Sequence, residues 1–178
     1  MRVFVGLILQ DEIKEELFKL QKSFPRDVAK INWVAKKRLH LTLKFLGEIN
    51  ENEISKVTSV LNEISFDSFE VKLGSLGVFS NNDSPFVLWV DLIPNKKIID
   101  LQQKVDAELL PLFKSDQKFS PHLVLGRIKL IKHKESFSEL VKELKFEKKR
   151  FSIKEFYLIQ STLTKDGPKY KILEKFNT

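Results

Sequence analysis

The chain has 178 residues, 42% hydrophobic and 31% charged, with a formal net charge of +7 and a pI near 9.4. That length suits one domain with a sizeable buried core, and the balance excludes a disordered or fibrous polypeptide. The absence of cysteine excludes thiol catalysis, disulfides and cysteine-based zinc sites, and it fits a reducing compartment. The positive charge favours polyanionic partners through long-range attraction, and it equally suits a lysine-rich surface that only keeps the protein soluble.

The first ten residues pass from a short apolar run directly into charged Asp11 to Glu16, which reads as a first strand over 2–9 and not as a secretory leader. No stretch approaches the roughly 20 apolar residues of a membrane span, so a cytoplasmic location is expected. Asp11 caps a predicted helix with Ile13, Leu17, Leu20 and Phe24 at helical spacing, closed by Pro25. A short strand follows at Ile31 to Val34. Then comes Leu39-His-Leu-Thr-Leu-Lys-Phe-Leu-Gly47, where strand alternation places His40, Thr42 and Lys44 on one face and Leu39, Leu41, Leu43 and Phe45 on the apolar one.

Asn50 opens a second helix carrying Ile54, Val57, Leu61 and Ile64, and Phe66 to Ser80 reads as a strand bent or bulged by Gly74 and Gly77. The cluster Asn81-Asn82-Asp83-Ser84-Pro85 is a turn. After it the pattern begins again: a strand over Phe86 to Ile93, a helix with Ile98, Leu101, Val105, Leu109 and Leu112, and a second histidine strand, Pro121-His-Leu-Val-Leu-Gly-Arg127. A helix near Lys134 to Leu144 precedes a long strand region from about Arg150 to Thr164, a turn at Asp166-Gly167 and a returning strand to Phe176. Trp33 and Trp89 lie in apolar strands and read as core. The tight basic clusters, Lys36-Lys37-Arg38 and Lys148-Lys149-Arg150, both precede strands and fit solvated strand entrances as readily as nucleic-acid clamps.

His40 and His122 are 82 positions apart, as are Phe4 and Phe86, and Glu51 and His133. The chain is therefore read as a quasi-repeat with halves 1–82 and 83–178 forming a single bilobal domain. The expected fold class is α+β: two pseudo-twofold-related lobes with largely antiparallel sheets lining a central cleft and helices packed outside. Two of the three histidines then face one cleft, while His133, among charged neighbours at a helix entrance, serves as a solvated cap.

Two imidazoles across a cleft supply one general acid and one general base near neutral pH, and the Thr42 hydroxyl donates to an anionic oxygen between them. That suits displacement at phosphorus without a metal: one imidazole takes a proton from water while the other protonates the departing oxygen. No Walker A, Gly-x-Gly-x-x-Gly or His-Glu-x-x-His pattern occurs, so neither cofactor nor metal is expected.

The two histidine motifs, with Met1-Arg-Val-Phe-Val5, Leu76-Gly-Val-Phe79 and Ser161-Thr-Leu-Thr-Lys-Asp-Gly-Pro-Lys-Tyr170, resemble the two-histidine phosphoesterases. Within them, the resemblance is to the RNA 2′,3′-cyclic phosphodiesterases, also called 2′-5′ RNA ligases. It spans essentially the whole chain. It implies hydrolysis of a 2′,3′-cyclic phosphate to a 2′-phosphomonoester, with His40 as proton donor, His122 as proton acceptor and Thr42 as phosphate-binding hydroxyl. Arg127 matches a position where the family often has a basic residue, although simple alternation turns it away from His122. Val124 stands where the family usually has threonine or serine, so the second motif lacks a phosphate donor. The implied partners are RNA with 2′,3′-cyclic phosphate termini or small nucleotide cyclic phosphates. A monomer with no membrane partner is expected, and reverse 2′-5′ ligation is a side activity. The alternative is an RNA-end or nucleotide binding protein whose catalysis is weakened or lost because Val124 replaces the second motif hydroxyl.

Overall fold

The computed structural model describes residues 1–115 and 118–178. Its elements run β1 (Arg2–Ile8), α1 (Asp11–Ser23), β2 (Ala29–Trp33), a 3-10 turn (Lys36–Arg38), β3 (His40–Glu48), α2 (Glu51–Asn62), β4 (Phe69–Asn81) and β5 (Ser84–Ile93). They continue with α3 (Lys96–Leu109), β6 (His122–Ile131), α4 (Lys134–Glu143), β7 (Arg150–Ile153), β8 (Glu155–Thr162) and β9 (Lys169–Asn177). The strands form two antiparallel sheets, one in the order β3-β1-β8-β9 and the other β2-β6-β5-β4-β7. This is the expected α+β architecture.

Each sheet carries an apolar inner face made by alternate residues, such as Val3, Val5 and Leu7 of β1 and Leu88, Val90 and Leu92 of β5, all buried. The amphipathic helices cover these faces. Val57 and Leu61 of α2 and Ile98, Leu101, Val105 and Leu109 of α3 join the same core. Asn50 caps α2 with a reciprocal box: its Oδ1 accepts from the Glu53 amide at 3.0 Å, and the Glu53 carboxylate accepts from the Asn50 amide at 2.8 Å. At α1 the cap is Gln10 and not Asp11, which lies within the first turn. Among the described residues no helix is long and apolar enough to cross a membrane.

The run from Arg150 to Thr164 is two strands, not one. Exposed Lys154 separates them, and the chain there leaves one sheet for the other, β7 pairing with β4 and β8 with β1. Each sheet consequently draws strands from both halves of the sequence. The constant shift of 82 also slips by one residue outside the histidine strands. Gly6 pairs with Thr42 and Trp89 with Val124, so β1 and β5 correspond at a shift of 83. Phe4 is accordingly buried, whereas Phe86 is exposed.

Candidate active site

The same local device presents both histidines. At the start of β3, Leu39, Leu41 and Leu43 enter the core, which turns His40 and Thr42 to the opposite face. His40 Nδ1 lies 2.7 Å from the Arg38 carbonyl, and His122 Nδ1 lies 2.7 Å from the Ser120 carbonyl. A carbonyl only accepts, so Nδ1 carries the hydrogen in each ring and Nε2 is the nitrogen left to exchange protons. His40 Nε2 lies 3.1 Å from Thr42 Oγ1. His122 has Val124 at the corresponding place, and valine offers no hydroxyl.

Aromatic walls hold each ring. His40 packs against Phe4 and, edge-on, Tyr170, with centroids 5.0 Å and 5.1 Å away. His122 packs edge-on against Phe79 at 4.8 Å, with Trp89 at 6.4 Å. Burial pushes the His40 imidazole below its ordinary pKa. Its bond to the Arg38 carbonyl opposes that shift, and the nearby charge of His122 adds to it. The strands that carry the two rings meet where β3 of one sheet contacts β6 of the other, and His40 lies within electrostatic reach of His122.

A bulge in each histidine strand changes which side chains share the site. In β3, Leu43 and Lys44 together oppose one residue of β1, so Phe4 and Gly6 face Phe45 and Thr42. Lys44, expected beside His40, instead points into the core: it is 1% exposed, with Nζ 2.5 Å from Asp106 Oδ1 of α3 and 2.7 Å from the Lys114 carbonyl. Phe45, expected in the core, is 65% exposed on the histidine face. In β6, Leu125 and Gly126 form the matching bulge, and Trp89 and Val87 face Val124 and Arg127. Arg127 thus joins the face of His122, against what simple alternation implies.

Sequence reasoning passed over the walls. Phe4, Phe79 and Tyr170 lay within the quoted motifs, but no periodicity distinguished them from core. Trp89, read as core, is half-buried on the histidine face beneath Phe79, and Gly77 leaves room for its indole: a Cβ there runs into the ring. Asp91 was also missed. It pairs with His122 across β5 and β6, and its carboxylate accepts from the Ser75 amide. His133 sits at the N-cap of α4, exposed, with its carbonyl accepting from the Phe137 amide. Among the described residues, no group of three or more His, Asp or Glu side chains is placed to hold a metal ion.

A family model described as LigT like phosphoesterase matches residues 7–89 and again residues 90–170. The chain belongs to the LigT-like phosphoesterase family. An RNA 2′,3′-cyclic phosphodiesterase of Methanocaldococcus jannaschii is 31% identical over 178 residues, covering 99% of this chain and 100% of the relative. One from Archaeoglobus fulgidus is 32% identical, with 99% of each chain covered. The crystal structure of TT0787 of Thermus thermophilus superposes with a TM-score of 0.81 at 25% identity, covering 99% of this chain and 97% of that one. Escherichia coli LigT complexed with phosphate shares the fold with a TM-score of 0.75 at 22% identity, covering 99% and 96%.

Proposed function

We propose that this LigT-like phosphoesterase is a metal-independent RNA 2′,3′-cyclic phosphodiesterase that opens the cyclic end to a 2′-phosphomonoester. The observation that carries this reading is the matched pair of imidazoles, each fixed by an Nδ1–H bond to the carbonyl two residues earlier with Nε2 left to exchange protons, on strands that contact each other. The names of the full-length relatives support the substrate class.

In the reaction, His122 Nε2 removes a proton from water as the water oxygen bonds to phosphorus. The bond from phosphorus to O3′ breaks, and O3′ takes the proton held on His40 Nε2. His122 ends protonated and His40 neutral, and exchange with solvent restores both. Thr42 donates its hydroxyl to a non-bridging oxygen, and Arg127, on the same face as His122, supplies positive charge to the phosphate. The burial that lowers the His40 pKa is offset when an anionic phosphate enters, because negative charge beside the ring favours its protonated form. With a 5′-hydroxyl in place of water, the same transfers open the cyclic phosphate to a 2′-5′ linkage, a path that water outcompetes.

Val124 motivates a second reading, an RNA-end binding protein without turnover. Losing one such donor costs about a hundredfold or more in rate. Comparing wild type with Val124→Thr on an oligoribonucleotide ending in a 2′,3′-cyclic phosphate separates the two. The enzyme reading predicts measurable wild-type hydrolysis and a further gain in the variant. Wild-type binding with no product, and product only after the substitution, supports the binding reading instead.

A further inference from the structure

The sheet faces on either side of the histidine pair carry different charged groups. Crossing the four-stranded sheet from His40, the neighbouring position is Ile8 of β1; on β8 Glu155 is paired with Lys175 of β9 at 3.2 Å, and Arg38 and Arg2 lie within electrostatic reach of Tyr170, which packs on His40. Crossing the five-stranded sheet from His122, Asp91 follows on β5; two residues along that strand Ile93 faces Lys72 of β4, which in turn faces Arg150 of β7. Lys72 pairs with Arg150, and their neighbours Val71, Leu73, Phe151 and Ile153 point into the core. The bulge at Gly74 and Ser75 brings in a third cation. Lys148 donates to the Gly74 carbonyl, stands 3.6 Å from the centre of the Phe146 ring, and lies within electrostatic reach of both Asp91 and Lys72.

Of the cluster Lys148-Lys149-Arg150, only Lys149 turns away, toward Glu16 and Glu147. Asp91 is occupied with the Ser75 amide, and Glu70 lies farther from His122, opposite Ser152. At about 4.8 Å between strands, Lys72 stands roughly 10 Å and Arg150 roughly 14 Å across the sheet from the β6 strand. That is the reach of successive linkages of a single strand leaving the cleft.

We propose that this face of the five-stranded sheet, through Lys72, Lys148 and Arg150, binds the phosphodiester backbone of the single-stranded RNA whose cyclic end lies between the histidines. The inference rests on the reading given under Proposed function and adds the path of the chain. The RNA runs 5′-ward over β5, β4 and β7, and the aromatic His40 side, walled by Phe4 and Tyr170, is left to the terminal nucleotide. Lys148 keeps spare N–H donors beyond the one given to Gly74. Burial also depresses its pKa, which an incoming phosphate reverses.

The test is binding of a fluorescein-labelled single-stranded oligoribonucleotide with a terminal 2′-phosphate, measured by anisotropy against KCl concentration. Each lost single-strand phosphate contact reduces the slope of log K against log salt by about 0.7. The triple variant Lys72→Gln, Lys148→Gln, Arg150→Gln is expected to lose about 2 from that slope, and Lys148→Gln alone, which leaves both strands intact, about 0.7. A control that removes the same number of cations from the helical side, Lys56→Gln, Lys97→Gln, Lys142→Gln, is expected to keep the wild-type slope. An unchanged slope in the triple variant, or an equal fall in the control, overturns the track. Turnover is scored separately. Track-dependent binding without hydrolysis keeps the track and rejects the phosphodiesterase reading, whereas hydrolysis with an unaltered slope does the reverse.

Discussion

The two histidine strands are built alike and dressed differently. In β3 and β6 the histidine comes first, its Nδ1 tied to the carbonyl two residues back, and a bulge follows at the same distance. That shared frame leaves Nε2 of each ring to exchange protons, on two strands that contact each other. Between the frames the side chains diverge: Thr42 against Val124, Phe45 against Arg127, buried Lys44 against Gly126, and Ile8 against Asp91 across the strand pair. On the proposed reading, what the two copies keep is the geometry of proton transfer, and what they divide between them is the grip on the substrate, with the Thr42 hydroxyl on the His40 side and Arg127 on the His122 side.

Removing the shared element has the largest expected effect. His40→Ala or His122→Ala should each lower kcat on a cyclic-phosphate oligonucleotide by roughly 10²- to 10⁴-fold, and the double variant should lose little more, since both rings serve one transition state. Steady-state kinetics on all three proteins checks this, and undiminished turnover in both single variants sinks the acid-base pairing.

Erasing the asymmetry comes next. Thr42→Val, which gives β3 the side chain of β6, should cost on the order of a hundredfold in kcat while leaving the fold unchanged, as read by rates and circular dichroism. The buried Lys44 tests the frame. Lys44→Met removes the cation from Asp106 and should destabilise the protein by about 3 kcal/mol in denaturant unfolding.

The smallest effect concerns pH. His40 donates only while protonated, and its protonated fraction in the free enzyme falls as pH rises through a pKa held below 6.5 by burial. The alkaline fall of kcat/KM should therefore begin below 6.5. Tyr170→Ala, which uncovers the ring, should move that limb upward.

The strands, helices and paired histidines were legible because hydrophobic periodicity and turn residues encode them locally. Both errors at the site have one cause: a bulge shifts alternation by one residue, and nothing in Leu43-Lys44-Phe45 announces it. Lys44 and Phe45 exchanged faces for that reason, and Arg127 came round to His122 by the matching irregularity, where Gly126 was a faint signal. The division of 150–164 into β7 and β8 was hidden because both strands are apolar and only Lys154 separates them. Trp89 and Phe79 looked like core because a residue walling an imidazole has the same composition as one filling an interior.

The central claim is that His40 protonates O3′ while His122 activates water across a single cleft. Incubating the protein in chelator with an oligoribonucleotide ending in a 2′,3′-cyclic phosphate, and identifying the monoester formed, tests it most directly. A 2′-phosphomonoester formed at an undiminished rate is the predicted result. A 3′-phosphomonoester, or loss of turnover in chelator, contradicts it.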